Sequence, residues 1–118
     1  MIRFYAYSGC DTCRQALKLL QSRGLAHERI AIREQPPTAD ELKRMLGHYH
    51  GDLRRLFNTS GQAYRELGLG PKLAALSIED ALALLAGNGN LVKRPFALTR
   101  TRGVAGFRAQ EWARFLEP

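Results

Sequence analysis

The first thirty-two residues constrain the fold most, because they put two cysteines at the joint between a strand and a helix. Ile2–Tyr7 alternates and is rich in aromatics, the pattern of a short strand. Ser8-Gly9 breaks it. From Cys10 to Gly24, Ala16, Leu17, Leu19 and Leu20 recur at helical spacing, and Gly24 supplies the stop. Ala26–Ile32 reads as a second strand with Ile30 and Ile32 on one face. Strand–helix–strand within so short a stretch requires a parallel pair joined by a crossover helix.

The remainder fills in around that unit. Gln35-Pro36-Pro37-Thr38 is a loop, and Thr38 with Glu41 has the form of a capping box opening a helix through Leu46. Asp52–Phe57, Gln62–Leu67 and Ser77–Ala86 read as short helices, punctuated by Gly47, Gly51, Gly61 and the Gly68–Pro71 stretch. Gly87-Asn88-Gly89-Asn90 reads as a turn. Arg94–Leu98 is a strand beginning beside a proline, Gly103–Phe107 its hairpin partner and Ala109–Leu116 a closing helix, with Trp112 and Phe115 on its core face. The expected fold is α/β: a thioredoxin-like mixed sheet with a helical insertion, at about residues 38–87, between the βαβ half and the C-terminal ββα half. A single domain spanning 1–118 is expected. A normal apolar share of 45% excludes a disordered tail protein. No apolar run reaches the ~18–20 residues of a membrane span. Met1–Tyr5 lacks the apolar core of a secretory signal, so a cytoplasmic protein is expected.

A disulfide closing so small a loop restrains the unfolded chain little, and cytosolic pools keep ordinary thiols reduced. Cys10 and Cys13 therefore point to chemistry rather than stapling. At the first turn of a helix a thiol meets free N–H groups and partial positive charge, which favour the thiolate. Arg14 adds a nearby cation. Lowering a thiol pKa from ~8.5 to ~7 raises the thiolate share at neutral pH from a few per cent to about half. Cys10, the more exposed, is the candidate nucleophile; Cys13, three residues on, is the candidate resolving thiol. A zinc site completed by His48 and His50 is disfavoured, since a two-residue spacing points their rings to different sides, and no metal is expected.

The net charge of +7 is uneven. Residues 81–110 hold Lys93, Arg94, Arg100, Arg102 and Arg108 and no acid. In a thioredoxin-like sheet, the loop ending at Pro95 lies beside the cysteine helix, so Arg94 is expected to face Cys10 and to fork onto an oxyanion. Arg100 and Arg102 read as decoration of a hairpin tip. There is no helix-turn-helix and no aromatic-interleaved basic strip for independent nucleic-acid binding.

Several strings in order resemble the ArsC/Spx family across nearly the whole chain: Cys10-Asp11-Thr12-Cys13-Arg14, Pro36-Pro37-Thr38, Leu56-Phe57-Asn58-Thr59-Ser60-Gly61, Tyr64-Arg65-Glu66-Leu67-Gly68-Leu69 and Asn90-Leu91-Val92-Lys93-Arg94-Pro95-Phe96. That family holds arsenate reductases and RNA-polymerase-binding regulators of the Spx type. The resemblance implies a nucleophile at Cys10, a cis bond before Pro95, and arsenate-binding groups at Arg94 and Arg108, with Thr12 and Arg14 beside them. The family's third arginine falls on Asn58 here, for which Arg54 or Arg55 is the expected substitute. Cys13 departs from the glutaredoxin-coupled enzymes, which recruit glutathione, and matches the redox switch of Spx-like regulators. The implied function is reduction of arsenate to arsenite through a Cys10 adduct resolved by Cys13 or glutathione. No bound cofactor is expected, only a thiol reductant: thioredoxin, or glutathione with glutaredoxin. The alternative is a regulator gripping RNA polymerase under control of a Cys10–Cys13 disulfide. A monomer is expected in either case.

Overall fold

Strand β1 (Ile2–Ala6) runs through the middle of a four-stranded sheet in a computed structural model that describes residues 1–118. The sheet order is β2-β1-β3-β4, with β2 at His27–Ala31, β3 at Phe96–Leu98 and β4 at Gly103–Ala105. β1 and β2 are parallel, in register from Ile2 opposite His27 to Ala6 opposite Ala31. The β1–β3 and β3–β4 pairs are antiparallel. Helix α1 (Asp11–Ser22) is the crossover. The insertion carries α2 (Ala39–His48), α3 (Gln62–Glu66), α4 (Leu69–Lys72) and α5 (Ile78–Gly87), and α6 (Ala109–Phe115) closes the chain.

Strand alternation divides the core in two. Ile2 and Phe4 of β1, Ala97 of β3 and Val104 of β4 pack with Ala16 and Leu20 of α1 and with Trp112 and Phe115 of α6. On the other face, Tyr5, Ile30, Phe96, Leu98 and Ala105 pack against Leu42 and Met45 of α2 and Leu85 of α5. Each fully buried Leu or Phe contributes roughly 1.5–3 kcal/mol, so both faces are strongly held.

Four local expectations change. The Gly68–Pro71 stretch is not a simple break: Gly68 turns the chain at φ 63° and α4 begins at once. Pro71 is tolerated there because first-turn N–H groups have no helical partner to lose. Asp52–Phe57 forms only a 3-10 turn at Leu53–Leu56, and Gly87–Asn90 leads into another at Gly89–Leu91. At Gly89 a Cβ would lie 1.8 Å from the Ile32 carbonyl oxygen, so only glycine lets this turn sit on the end of β2. The last strand stops at Ala105 rather than Phe107, because Gly106 leaves the sheet at φ 85°.

The Thr38–Glu41 capping box forms as expected. Glu41 does more than cap: its carboxylate also accepts from Tyr5 Oη at 2.7 Å and Arg3 Nε at 2.9 Å. Burial pushes the Glu41 carboxyl up, but hydrogen bonds from Tyr5, the Thr38 backbone and Arg3 outweigh it and hold the group below its ordinary value. The network ties α2 to the first strand.

Candidate active site

Cys10 is the N-cap residue of α1, with extended backbone at φ −98° and ψ 118°. Its sulfur accepts the N–H of Cys13 at 3.3 Å, the place a Ser or Asp oxygen usually takes. The Thr12 hydroxyl lies 3.2 Å from the same sulfur. Partial burial opposes ionisation of Cys10, yet bonds from the Cys13 thiol, the Thr12 hydroxyl and the Cys13 amide, together with the Arg94 charge, bring its pKa below the ordinary thiol value. Cys13 behaves oppositely. Buried in the first turn and facing the Cys10 sulfur, it is pushed up to about 12. The pair is thus differentiated, Cys10 the more readily ionised and Cys13 the less.

The loop before Cys10 has its own architecture. The Cys10 N–H bonds the Tyr7 carbonyl at 3.1 Å, and the Tyr7 ring folds over Gly9, where a Cβ would come within 2.6 Å of it. The Arg33 guanidinium lies 3.6 Å from the ring centroid and that of Arg94 5.4 Å away. The Arg94–Pro95 bond is cis. Arg94 Nη1 is buried and makes no hydrogen bond, an uncommon state for a guanidinium nitrogen.

The other expected groups fall in separate places. Arg94 and Asn58 line a cleft of about 390 Å³ together with Arg33. Arg108 and Arg54 line a different one, about 380 Å³, with Thr12, Thr59 and Lys93. Arg94 and Arg108 therefore do not share one cleft; Thr12 and Arg94, which both act on the Cys10 sulfur, line one each. Arg55 lines the Arg108 cleft too, but its guanidinium is held by Glu111 at 2.8 Å and stacks 4.4 Å from the Tyr49 centroid. Arg14 pairs with Asp11, its i,i+3 neighbour on the first turn, and donates to the Ser8 carbonyl. Arg102 is no mere decoration, since it reaches the backbone carbonyls at the end of α6, Arg114 at 3.1 Å among them. His48 and His50 line a cleft beyond α2 that includes neither cysteine, and no three His, Cys, Asp or Glu side chains gather as a metal cluster.

Tyr7 and Arg33 escaped the sequence reading. Nothing local flags them: it is the β1–β2 register, with Ala6 opposite Ala31, that brings the residues just beyond both strands to the same end of the sheet.

A mixed sheet with a helix-capping Cys-x-x-Cys and a cis-proline beside it defines a thioredoxin-like thiol protein. The sequence model of the ArsC family matches residues 5–115, and the chain belongs to that family. It is 41% identical to the uncharacterized protein YusI of Bacillus subtilis, over 94% of each chain. It is 28% identical to the global transcriptional regulator Spx of Enterococcus faecalis, over 98% of this chain and 86% of Spx. A crystal structure described as a "possible arsenate reductase" from Streptococcus mutans superposes with a TM-score of 0.87 at 40% identity, covering 92% of each chain.

Proposed function

We propose that this protein is a thiol-dependent reductase that converts arsenate to arsenite, with Cys10 as nucleophile and Cys13 as resolving thiol. One observation carries the reading: the Cys10 thiol is held below its ordinary pKa with the Arg94 guanidinium beside it, while Cys13 is kept protonated. The Cys10 thiolate attacks arsenic and an arsenate hydroxyl, taking up a proton from solvent, leaves as water, forming an S–As bond. Arg94 and, from the Thr12 cleft, Arg108 offer donors to the remaining oxygens. Bonding to arsenic removes the negative charge that faces Cys13, so one cause of its high pKa disappears. The Cys13 thiol then gives up its proton to solvent and its sulfur attacks the Cys10 sulfur. The S–As bond breaks with its electron pair staying on arsenic, which departs as arsenite, and the two thiols have supplied two electrons as a disulfide. An external dithiol of the thioredoxin type restores the pair; glutathione with glutaredoxin is the other donor, attacking the adduct in place of Cys13.

The test is arsenate-dependent NADPH oxidation coupled to thioredoxin or to glutaredoxin with glutathione. Cys10→Ser is expected to lose turnover by roughly a thousandfold or more, since a serine hydroxyl stays protonated at neutral pH. Cys13→Ser is expected to lose the thioredoxin-coupled activity; activity surviving only with glutathione reassigns the resolving thiol. No turnover with either donor overturns the reading.

A second reading is a redox-switched regulator that binds RNA polymerase. It is favoured by Cys13, which puts a second thiol within hydrogen-bonding reach of Cys10, and by the similarity to Spx over nearly the full chain. Co-purification of RNA polymerase subunits with the oxidised but not the reduced protein supports it, and their absence under oxidising conditions removes it.

A further inference from the structure

The chain has no arginine at position 58, and Arg55 is committed to Glu111. The cleft that Asn58 lines nevertheless holds two guanidinium groups, Arg33 and Arg94. They lie 3.6 Å and 5.4 Å from the centroid of one ring, Tyr7, whose carbonyl anchors the Cys10 amide. Arg33 is exposed and forms no ion pair with any acid, in contrast to Arg3, Arg14 and Arg55. Arg94 Nη1, buried, has no hydrogen-bond partner. The only acid on the lining is the exposed Glu66, which is engaged by Gln62 Nε2 at 2.7 Å. Two cations around one ring repel each other and leave donors unused; a shared anion removes both penalties. The volume of about 390 Å³ accommodates a tetrahedral oxyanion with water, each water needing ~30 Å³.

Building on the oxyanion-reductase reading above, on which it rests, we propose that Arg33 is a substrate-binding residue, supplying a further guanidinium to the oxyanion from beside Arg94 in the cleft the two share. Tyr7 is its positioning residue: the ring sets both guanidiniums on one cleft, and Gly9 is small so that the ring can lie there. Arg54 lines the other cleft, with Thr12 and Arg108, whereas Arg33 shares its cleft with Arg94.

The experiment measures anion protection of Cys10 from iodoacetamide, with arsenate and separately with sulfate as the protecting ion, in the full chain. Arg33→Gln is expected to weaken protection by about tenfold for both ions, the size of losing one charge-assisted contact. Arg33→Lys recovers part of it, as a point charge without the fork. Lys18→Gln, on the exposed face of α1, controls for loss of one positive charge and changes protection less than twofold. Thermal melts of the same variants establish that each is folded. A change under threefold in Arg33→Gln, or a larger loss in Arg54→Gln than in Arg33→Gln, overturns the proposal. If arsenate is never turned over but protection still depends on Arg33, the reductase reading fails while the anion site stands.

Discussion

The two ends of strand β1 carry the same kinds of side chain and treat them in opposite ways. At its start, Arg3 is paired with Glu28 at 3.1 Å and with Glu41 at 2.9 Å, and the Tyr5 hydroxyl sits between Arg3 and Glu41. Every charge there has a partner. Just past its other end, Tyr7 again meets arginines, Arg33 and Arg94, but no carboxylate joins them and one nitrogen is left without a hydrogen bond. A satisfied network holds elements together; an unsatisfied cationic one beside an ionisable thiol leaves donors available to a ligand. The difference separates architecture from chemistry within one short strand.

The largest effect that would break this contrast lies at the satisfied end. Glu41→Ala leaves Tyr5 and Arg3 without their shared acceptor and is expected to cost about 2–3 kcal/mol, read from urea unfolding. The Cys10 alkylation rate should stay within twofold of wild type; a larger change would mean that the two ends are coupled. The pH dependence sharpens the same point. The folded pKa of Glu41 lies below its ordinary 4.5, so its stabilisation is complete above the unfolded value and is lost as pH falls through the folded one. Urea midpoints measured from pH 6 down to 3 should fall, and Glu41→Gln should flatten that fall.

Smaller effects follow at the other basic positions. Arg55→Gln breaks a half-buried pair with Glu111 and is expected to cost about 1 kcal/mol in the same unfolding assay, leaving Cys10 reactivity unchanged. Arg94→Gln is expected to do the reverse: the Cys10 thiolate loses a neighbouring cation and alkylation at pH 7 slows about threefold, with stability changed by less than ~1 kcal/mol. A stability loss well beyond that would make Arg94 a structural residue and erase the contrast.

Much of the fold was legible because its signals are local. The alternation of Ile2–Tyr7, the glycine stop at Gly24 and the capping box at Thr38 and Glu41 depend on residues within a turn or two of each other. The short insertion elements were harder. A 3-10 turn at Leu53–Leu56 and a four-residue α4 around Gly70-Pro71 are held by packing on α2, α5 and the sheet rather than by propensity. The site divides similarly. Cys10 and Cys13 declare themselves by position at a helix start, and Arg94 by the adjacent proline. Arg33 is separated from Cys10 by the whole of α1 and β2, and no spacing rule links them.

The βαβ start, the order of the main elements and the two thiols at the first turn of α1 follow from local signals, because period, capping and turn chemistry act over a few residues. Which of the fourteen arginines are spent on acids, and which are left without one, is settled by long-range packing. That choice depends on which strand ends meet at one edge and which carboxylates reach there. Glu111 reaches Arg55, Glu41 reaches Arg3, and none reaches Arg33 or Arg94. Charge pairing between residues far apart in the chain is set by the fold, and the composition that produces +7 cannot assign it.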